Sequence, residues 1–413
     1  MIIENTKHYC DNCHKEHEAQ LIKKGNRVYF NYICKGKSKS IKISNDYRVF
    51  MYLRSFYKKT KFEKNNFKLF TLLELTNKCN YNCPICFASA NEINVKDFEI
   101  AELDNYLKRL NTRFVFLSGG EATLLPNLDK IIKLTRKRKL KPMLLTNGHT
   151  LGRNKSLAKR LKKAGLFSVG IQFDTLNPKT HLHIRGNRDI KTKMMAIDNC
   201  VKSGLSTGLV SMILKENLKD IRGILNYAKS KQPLISLIQF QPAKIVGRFD
   251  YHEDPIVYRD DILNEIIDSA VFKEVTLKSF LPYPRFKPLG INVHPDCGTF
   301  MMLFKSKNRY IPLNKISNIK KLHNYFQSNK MKSNLFTKNI VPLYYLFKST
   351  PIKNHPKIIS AIIGTIFKNK KTRILFITIG SYSNKDYRDT NRLKNCSNQV
   401  IIKGRGIKHP CLN

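Results

Sequence analysis

The chain has 413 residues, of which 42% are hydrophobic and 25% charged, so a disordered chain and a small disulfide-stapled fold are both excluded. Its 75 Lys and Arg against 30 Asp and Glu give a formal net charge of +45. Such a charge would attract nucleic acid, an anionic membrane surface or a polyanionic substrate. An AT-rich genome would enrich lysine in the same way, so the charge by itself does not identify a partner.

The sequence contains no recognisable export or membrane-spanning signal. The first ten residues have no basic stretch followed by an apolar run, so we expect no signal peptide. The longest apolar run, 358–367, is about half of the ~20 residues that span a bilayer. We therefore expect a cytoplasmic protein in a reducing compartment, where ten cysteines indicate metal ligands rather than disulfides.

Strand-like and helix-like patterns alternate regularly between residues 70 and 245. Short apolar runs predict six strands, at 70–75, 114–117, 142–145, 168–173, 209–214 and 236–241. Three- and four-residue apolar spacing predicts helices at 98–110, 128–138, 155–164, 191–203 and 218–231. This alternation predicts an α/β fold with a parallel sheet, a partial (β/α)6 TIM-like barrel, whose chemistry lies at the C-terminal ends of the strands.

The alternation divides the chain into three predicted domains. Residues 1–69 form a small N-terminal metal-binding knuckle, 70–245 form the barrel, and 246–413 form an irregular basic C-terminal domain. Within the last domain no Asp or Glu occurs between Asp296 and Asp386, whereas 297–385 contains 17 Lys and Arg.

A group of three cysteines follows the first predicted barrel strand. Cys79, Cys83 and Cys86 have Cx3Cx2C spacing, which can hold three irons of a [4Fe–4S] cluster and leave the fourth iron open to a ligand. A zinc site would need a fourth ligand, and no nearby residue supplies one. Incidental loop cysteines are the alternative.

A glycine-rich segment follows the second strand. Gly119 and Gly120 allow the backbone to approach a ligand closely, and Glu121 beside them can bind an amino group. Alone, this segment could be a simple turn. One βα unit after the cysteine group, it indicates a cofactor site.

Together these two motifs resemble the radical S-adenosylmethionine (SAM) enzymes. The resemblance implies that the open iron binds the amino and carboxylate groups of SAM, that the GGE segment contacts the methionyl amino group, and that SAM is cleaved to a 5′-deoxyadenosyl radical. The residue before the third cysteine is usually aromatic in that family but is Ile85 here. The resemblance implies further cofactor contacts, each of which could instead be a cap or loop residue: Thr146, Asn147, Gln172, Asp174 and Arg185.

Longer strings resemble one subfamily, the archaeal tetraether lipid synthases, which were earlier described as pterin-dependent methyltransferase-like proteins. The matching strings are 73–90 (LELTNKCNYNCPICFASA), 173–174, 241–242, 247–248, 294–297 (HPDC), 374–380 (ILFITIG) and 409–413 (HPCLN). This resemblance implies an N-terminal rubredoxin-like metal site, auxiliary Fe–S clusters late in the chain, and coupling of the terminal methyl carbons of isoprenoid lipid tails.

The N-terminal cysteines match that subfamily only in part. Cys10, Cys13 and Cys34 supply three thiolates, but residues 35–38 contain no fourth cysteine. His14 or His17 could complete a Cys3His site for a zinc or iron ion. The alternatives are a degenerate knuckle without metal, or a zinc knuckle that binds RNA.

Cys297, Cys396 and Cys411 are three candidate ligands for one auxiliary [4Fe–4S] cluster, whose fourth ligand is unassigned. Reduced, buried thiols are the alternative. Cys200 lies on a predicted helix with apolar neighbours and is interpreted as a packing residue.

The sequence therefore predicts a radical SAM enzyme, with the coupling of lipid tails as the leading reaction. The carboxylate-free basic stretch suggests a peripheral position on an anionic membrane, and the apolar runs 341–347 and 358–367 within it could lie in the interface, line a lipid tunnel or pack in a core. A ferredoxin or flavodoxin is the expected electron donor.

Two other functions are alternatives to lipid coupling. One is a radical methyltransferase or maturase acting on a pterin or peptide, and the other is a basic RNA-binding protein, although nucleic acid is not the expected partner. The sequence assigns no catalytic side chain beyond the cofactor shell.

Overall fold

The computed structural model describes most of the chain. The described residues are 1–10, 13–57, 68–92, 96–231, 235–251, 254–283, 293–306, 309–327, 337–366, 374–381, 387–394, 396, 398–403, 406–408 and 411. Of the strings quoted above, 409–413 falls outside this set apart from Cys411.

The N-terminal segment is an antiparallel sheet of four strands in sequential order. Its strands are β1 (Ile2–Cys10), β2 (Lys15–Lys24), β3 (Arg27–Cys34) and β4 (Lys37–Ser44), followed by helix α1 (Tyr47–Arg54). Alternate residues of β2 and β3 are buried, and Leu21, Val28 and Phe30 form a small core against Phe50 of α1. The period of two is the pattern of a sheet with one covered face.

Six parallel strands form the central sheet, and they confirm the predicted α/β barrel architecture. They are β5 (Lys68–Glu74), β7 (Thr112–Ser118), β8 (Lys141–Thr146), β9 (Ser168–Gln172), β10 (Ser206–Ile213) and β11 (Ile235–Pro242). Each is hydrogen-bonded in parallel to the next in this order. Two short strands, β6 (Ile85–Cys86) and β12 (Arg248–Phe249), pair with each other outside the sheet.

Helices connect these strands and cover one face of the sheet. They are α2 (Ile100–Arg109), α3 (Leu128–Lys137), α4 (His149–Arg153), α5 (Lys155–Ala164), α6 (Pro178–Arg185), α7 (Ile190–Lys202) and α8 (Ile221–Ser230). On α3, Leu128, Ile131 and Ile132 are buried at helical spacing, in one core cluster with Val115 and Leu117 of β7. Two short helices, α4 and α6, are additional to the five predicted.

Residues after 245 add strands to both edges of the central sheet. The elements here are α9 (Arg259–Asp268), β13 (Leu281–Pro282), β14 (Gly298–Ser306), β15 (Arg309–Pro312), α10 (Ile319–Gln327), α11 (Thr337–Lys348), α12 (His355–Ile366), β16 (Ile374–Gly380), α13 (Thr390–Lys394), β17 (Asn398–Ile402) and β18 (Gly406–Lys408). Strand β16 lies parallel to β11, and β17 lies parallel to β5. Eight parallel strands therefore make up the arc, and the last two come from the C-terminal segment. Among the described helices, none is long and apolar enough to cross a bilayer.

Candidate functional site

The three cysteines of the Cx3Cx2C motif lie on the loop that leaves the C-terminal end of β5. Backbone N–H groups point at two of the thiols: Tyr81 N lies 3.4 Å from Cys79 Sγ, and Ala90 N lies 3.4 Å from Cys86 Sγ. Cys83 and Cys86 both contribute to raising the pKa of Cys79, so the three thiols are neighbours at this end of the strand.

This cluster loop, residues 75–92, is fixed by side chains from two directions. The amide of Asn91 accepts from Cys79 N at 2.8 Å and donates to Cys79 O at 3.1 Å. Arg248 donates to Cys83 O at 2.7 Å and to Ala90 O at 3.2 Å. Gly247 precedes it with φ +62°, and a Cβ there would lie 2.4 Å from Cys86 O. No spacing or motif singles out Asn91, and residues 247–248 were predicted only as part of a matching string.

Burial makes two of the thiols weaker acids than a free cysteine. Desolvation raises the pKa of Cys79 to about 11, and it raises the pKa of Cys83 against the opposing effect of the Arg185 cation. Iron would displace these protons, because a thiolate is the ligand form.

The GGE segment docks against the cluster loop through its backbone. Gly120 N donates to Thr76 O at 2.7 Å, and Glu121 N donates to Lys78 O at 2.8 Å. A Cβ on Gly119 would lie 2.3 Å from Thr76 O, and one on Gly120 would lie 2.3 Å from Lys78 O. Only glycine permits this approach, because any Cβ at either position would collide with the backbone of the cluster loop.

The Glu121 carboxylate is buried, 1% exposed, and is hydrogen-bonded within the protein. One oxygen accepts from Thr123 Oγ1 at 2.6 Å and from Thr146 Oγ1 at 2.8 Å. The other accepts from Asn147 N at 2.8 Å. The carboxylate therefore joins the GGE segment to the end of β8. Its contact with the SAM amino group stays a prediction.

Asn147 connects the end of β8 with the cluster loop. Its amide nitrogen donates to Asn80 Oδ1 at 2.7 Å, and it lies 3.9 Å from Cys79 Sγ. Its backbone carbonyl accepts from Lys193 Nζ at 3.0 Å. The structure therefore places Asn147 beside the first cysteine, and contacts of Thr146 and Asn147 with SAM stay predictions.

Asp174 and Arg185 form an ion pair with each other. The guanidinium contacts both carboxylate oxygens, at 2.8 and 3.1 Å, and the Asp174 side chain is completely buried. Arg185 also donates to Ile85 O in the cluster loop at 3.2 Å. The pair lowers the pKa of Asp174 and opposes its desolvation. Direct contacts of Asp174, Arg185 and Gln172 with SAM stay predictions.

Three further polar residues at this site were missed by the sequence analysis. Asp189 Oδ2 accepts from the Tyr81 hydroxyl at 2.7 Å and lies 2.6 Å from His149 Nδ1. These hydrogen bonds lower the pKa of Asp189 against its desolvation. Tyr81 belongs to the cluster loop, so the network ties that loop to α4 and α7. No spacing in the sequence connects residues 81, 149 and 189.

The N-terminal cysteines form a compact site with His17. Cys34 Sγ lies 3.6 Å from both Cys10 Sγ and Cys13 Sγ, and Cys13 Sγ lies 3.0 Å from His17 Nε2. All four ligand atoms lie within 4.8 Å of one another. This spacing fits one tetrahedral ion, and the Cys3His set is typical of zinc. Of the two histidines considered, the structure places His17 in the site, whereas His14 is exposed at the hairpin turn.

The late cysteines come together around a buried arginine. Burial raises the pKa of Cys396 to about 12, and the neighbouring Cys297 and Cys411 add to the shift. The Arg392 cation, 2% exposed, opposes the rise for Cys297. Cys297 is thus a neighbour of Cys396 and Cys411, which follow it by 99 and 114 positions in the chain. The presence of an auxiliary cluster stays a prediction.

Cys200 is completely buried within the main hydrophobic core on α7, and burial raises its pKa to about 12. It lies among aliphatic side chains, in keeping with its interpretation as a packing residue.

Known proteins match the barrel portion of the chain. Residues 73–228 match the family described as the Radical SAM superfamily. A 7,8-dihydro-6-hydroxymethylpterin dimethyltransferase of Methanocaldococcus jannaschii is 31% identical over 273 residues, covering 60% of this chain and 53% of the relative. A GTP 3′,8-cyclase of Helicobacter pylori is 33% identical over 178 residues, covering 41% of this chain and 54% of the relative. The chain thus spans about half the length of these curated relatives.

Among solved structures, Streptococcus suis SuiB bound to its precursor peptide SuiA is similar with a TM-score of 0.45 and 16% identity, covering 55% of this chain and 51% of that one. The match over residues 73–228 includes the cysteine loop, the GGE segment and the ends of strands β8 and β9 described above. Residues 73–228 are therefore similar to the radical SAM superfamily, and the match carries both motifs from which the sequence predicted it.

Proposed function

We propose that this chain holds a [4Fe–4S] cluster on Cys79, Cys83 and Cys86, cleaves SAM reductively, and removes hydrogen from an unactivated carbon of a hydrophobic substrate. When bound, the cluster would supply the electron for reductive cleavage of SAM to methionine and a 5′-deoxyadenosyl radical, and that radical would take the hydrogen atom. A ferredoxin or flavodoxin is the proposed electron donor.

The protein's part is to bind, orient and shield. The cluster loop offers three neighbouring thiols and is fixed by Arg248 and Asn91. The close approach at Gly119 and Gly120 holds the GGE segment against this loop. We expect the segment, held in this position, to meet the methionyl end of SAM beside the cluster.

The side chains on the inner face of the barrel carry the proposal of a hydrophobic substrate. The inner face is the face of the sheet opposite to the helices, and residues that pair across adjacent strands lie on the same face. Phe70 pairs with Phe114, and Phe116 pairs with Met143. Although apolar, these residues are only half-buried, unlike the fully covered Val115 on the other face. Leu72, Leu145, Val210 and Leu237 continue the same pattern. An accessible apolar interior suits an alkyl chain.

The resemblance to tetraether lipid synthases makes an isoprenoid lipid the leading substrate, and carbon–carbon coupling the leading reaction. Joining two methyl carbons removes one hydrogen atom from each. It therefore consumes two SAM molecules and two electrons, and yields two molecules each of methionine and 5′-deoxyadenosine for every bond formed.

A basic surface between α11 and α12 supports a position on an anionic membrane. Ile352 is 83% exposed, and Ile359 is 44% exposed. Lys348, Lys353 and Lys357 lie exposed around them. Each lysine near an anionic bilayer contributes about 1 kcal/mol of attraction. Ile352→Glu should therefore weaken co-sedimentation with anionic vesicles, and an unchanged bound fraction would contradict the membrane assignment.

Radical methyl transfer to a pterin is the second candidate. It is favoured by the 31% identity to the pterin dimethyltransferase, which extends over 273 residues, beyond the 156 residues of the matched domain. A pterin is a planar, polar heterocycle, and it would leave most of the apolar inner face uncovered.

The two substrates are distinguished by their products. Anaerobically reconstituted protein is incubated with dithionite, SAM and either extracted isoprenoid membrane lipids or 7,8-dihydro-6-hydroxymethylpterin, followed by mass spectrometry. Lipid coupling predicts a product two hydrogens lighter than the sum of its two tails, and methyl transfer predicts a methylated pterin. A methylated pterin with unchanged lipids would overturn the lipid proposal.

A variant of the inner face tests the substrate site separately from SAM cleavage. Phe116→Gln places an amide among the apolar side chains, so it should lower the lipid product at least tenfold. Cleavage of SAM without substrate should continue. Equal lipid turnover in this variant would contradict a tail bound along the inner face.

A further inference from the structure

Lys193 on α7 is a completely buried lysine at the top of the barrel. Its ammonium donates to Asn147 O at 3.0 Å, to Gln172 O at 3.3 Å and to Gln172 Oε1 at 3.0 Å. All three acceptors are uncharged. Burial lowers its pKa to about 8, with Asp174 opposing the shift. A lysine without a hydrogen-bonded carboxylate is costly to bury, so its position calls for a reason.

The ammonium joins the ends of two neighbouring strands. Asn147 follows β8 and Gln172 ends β9, and both are proposed contacts of SAM. Because Gln172 Oε1 accepts from the lysine, the amide is held in one orientation and presents its Nε2 donors on the other side. A ribose hydroxyl is an acceptor for such a donor.

The same ammonium also lies beneath the cluster loop. Its Nζ is 5.4 Å from the ring centroid of Tyr81, which lies between the first and second cysteines. The Tyr81 hydroxyl is held in turn by Asp189. The lysine is thus the shared partner of the cluster loop and of two strand ends.

We propose that Lys193 is a positioning residue for SAM, which fixes the Gln172 amide and the Asn147 backbone against the cluster loop through three hydrogen bonds. This inference rests on the proposed SAM site. It predicts that Lys193 acts on the affinity for SAM, through Gln172, and not on the assembly of the iron cluster.

The test compares Lys193→Met with Lys191→Met, a matched change at an exposed lysine on the same helix. Iron and sulfide content, the dissociation constant for SAM by equilibrium dialysis, and 5′-deoxyadenosine formation against SAM concentration are measured. We expect wild-type iron content, SAM binding at least tenfold weaker, and a raised KM with kcat within threefold for Lys193→Met. Lys191→Met should match the wild type. Wild-type SAM affinity in Lys193→Met would overturn the inference.

A double-mutant cycle shows whether the lysine acts through Gln172. In a Gln172→Leu background, Lys193→Met should weaken SAM binding much less than it does in the wild type, because the two changes remove one interaction. Fully additive losses would refute this route. Gln172→Leu alone should weaken SAM binding at least tenfold at wild-type iron content, and unchanged SAM affinity in that variant would overturn the inference, as would loss of iron from a folded Lys193→Met protein. A wild-type protein that holds iron but binds no SAM would instead refute the proposed function.

Discussion

Substituting Gly120 by alanine should damage the SAM site through a backbone collision that no rotamer change can relieve. The new Cβ would lie 2.3 Å from Lys78 O and 2.7 Å from Lys78 C, both backbone atoms. Restoring ordinary contact requires a displacement of about 1 Å, which would lengthen the hydrogen bonds Gly120 N–Thr76 O and Glu121 N–Lys78 O beyond the ~3.5 Å limit.

The size of the effect follows from those two bonds. Each donor left unpaired in a buried site costs about 1–3 kcal/mol, so the free energy of unfolding should fall by roughly 2–6 kcal/mol. A shift of this size in a binding segment commonly costs about 100-fold in function. We expect SAM affinity to fall by about that factor.

Thermal unfolding and equilibrium dialysis with SAM measure the two quantities. Gly223→Ala is the matched control, because a Cβ there meets only Leu176 Cδ1, at an ordinary 3.4 Å, and alanine in helix α8 should add about 0.5–1 kcal/mol of stability. If Gly120→Ala unfolds and binds SAM like the wild type, the docking of the GGE segment described above is wrong.

Three further predictions concern the metal sites and pH. His17→Ala should lower the zinc or iron bound at the N-terminal site, whereas His14→Asn, which tolerates that residue's φ of +55°, should leave the metal content unchanged. Cys297→Ser should reduce the iron content by about four per chain if the late cysteines hold a cubane cluster, and equal iron in variant and wild type would remove that cluster. Burial raises the pKa of Asp260 to about 6, above its value in the unfolded chain. Between about pH 4 and about pH 6 the folded chain therefore holds a proton that the unfolded chain has lost, so the free energy of unfolding should fall as the pH rises through this range. Asp260→Asn keeps the acceptor for Asn45 N and should abolish that slope in pH-dependent unfolding.

The barrel strands could be predicted because each is a short apolar run, and these runs alternate along the chain with segments that have the apolar spacing of a helix. Residues 142–145, for example, lie inside the observed β8, and 209–214 overlaps β10 except for its last residue. The parallel addition of β16 to β11 could not be predicted, because the apolar run at 374–380 contains nothing that specifies its partner. Pairing over more than a hundred residues is decided by packing in the whole fold.

The site was predictable where chemistry needs a fixed spacing. The cysteine loop and the GGE segment have such spacing, and the N-terminal site left only the choice between His14 and His17, which the geometry of the hairpin decides. Lys193 and Arg248 carry no local pattern. Each is one of 75 Lys and Arg in the chain, and only burial and hydrogen bonding distinguish it from a surface cation.

The most direct test of the account is the formation of 5′-deoxyadenosine by anaerobically reconstituted protein with dithionite and SAM. The wild type and Cys200→Ala, which changes a buried thiol outside the site, should both form it. Cys83→Ala should form none and should hold fewer irons, because one cluster ligand is removed. Formation of 5′-deoxyadenosine by Cys83→Ala at the wild-type rate would contradict the assignment of the cluster to Cys79, Cys83 and Cys86.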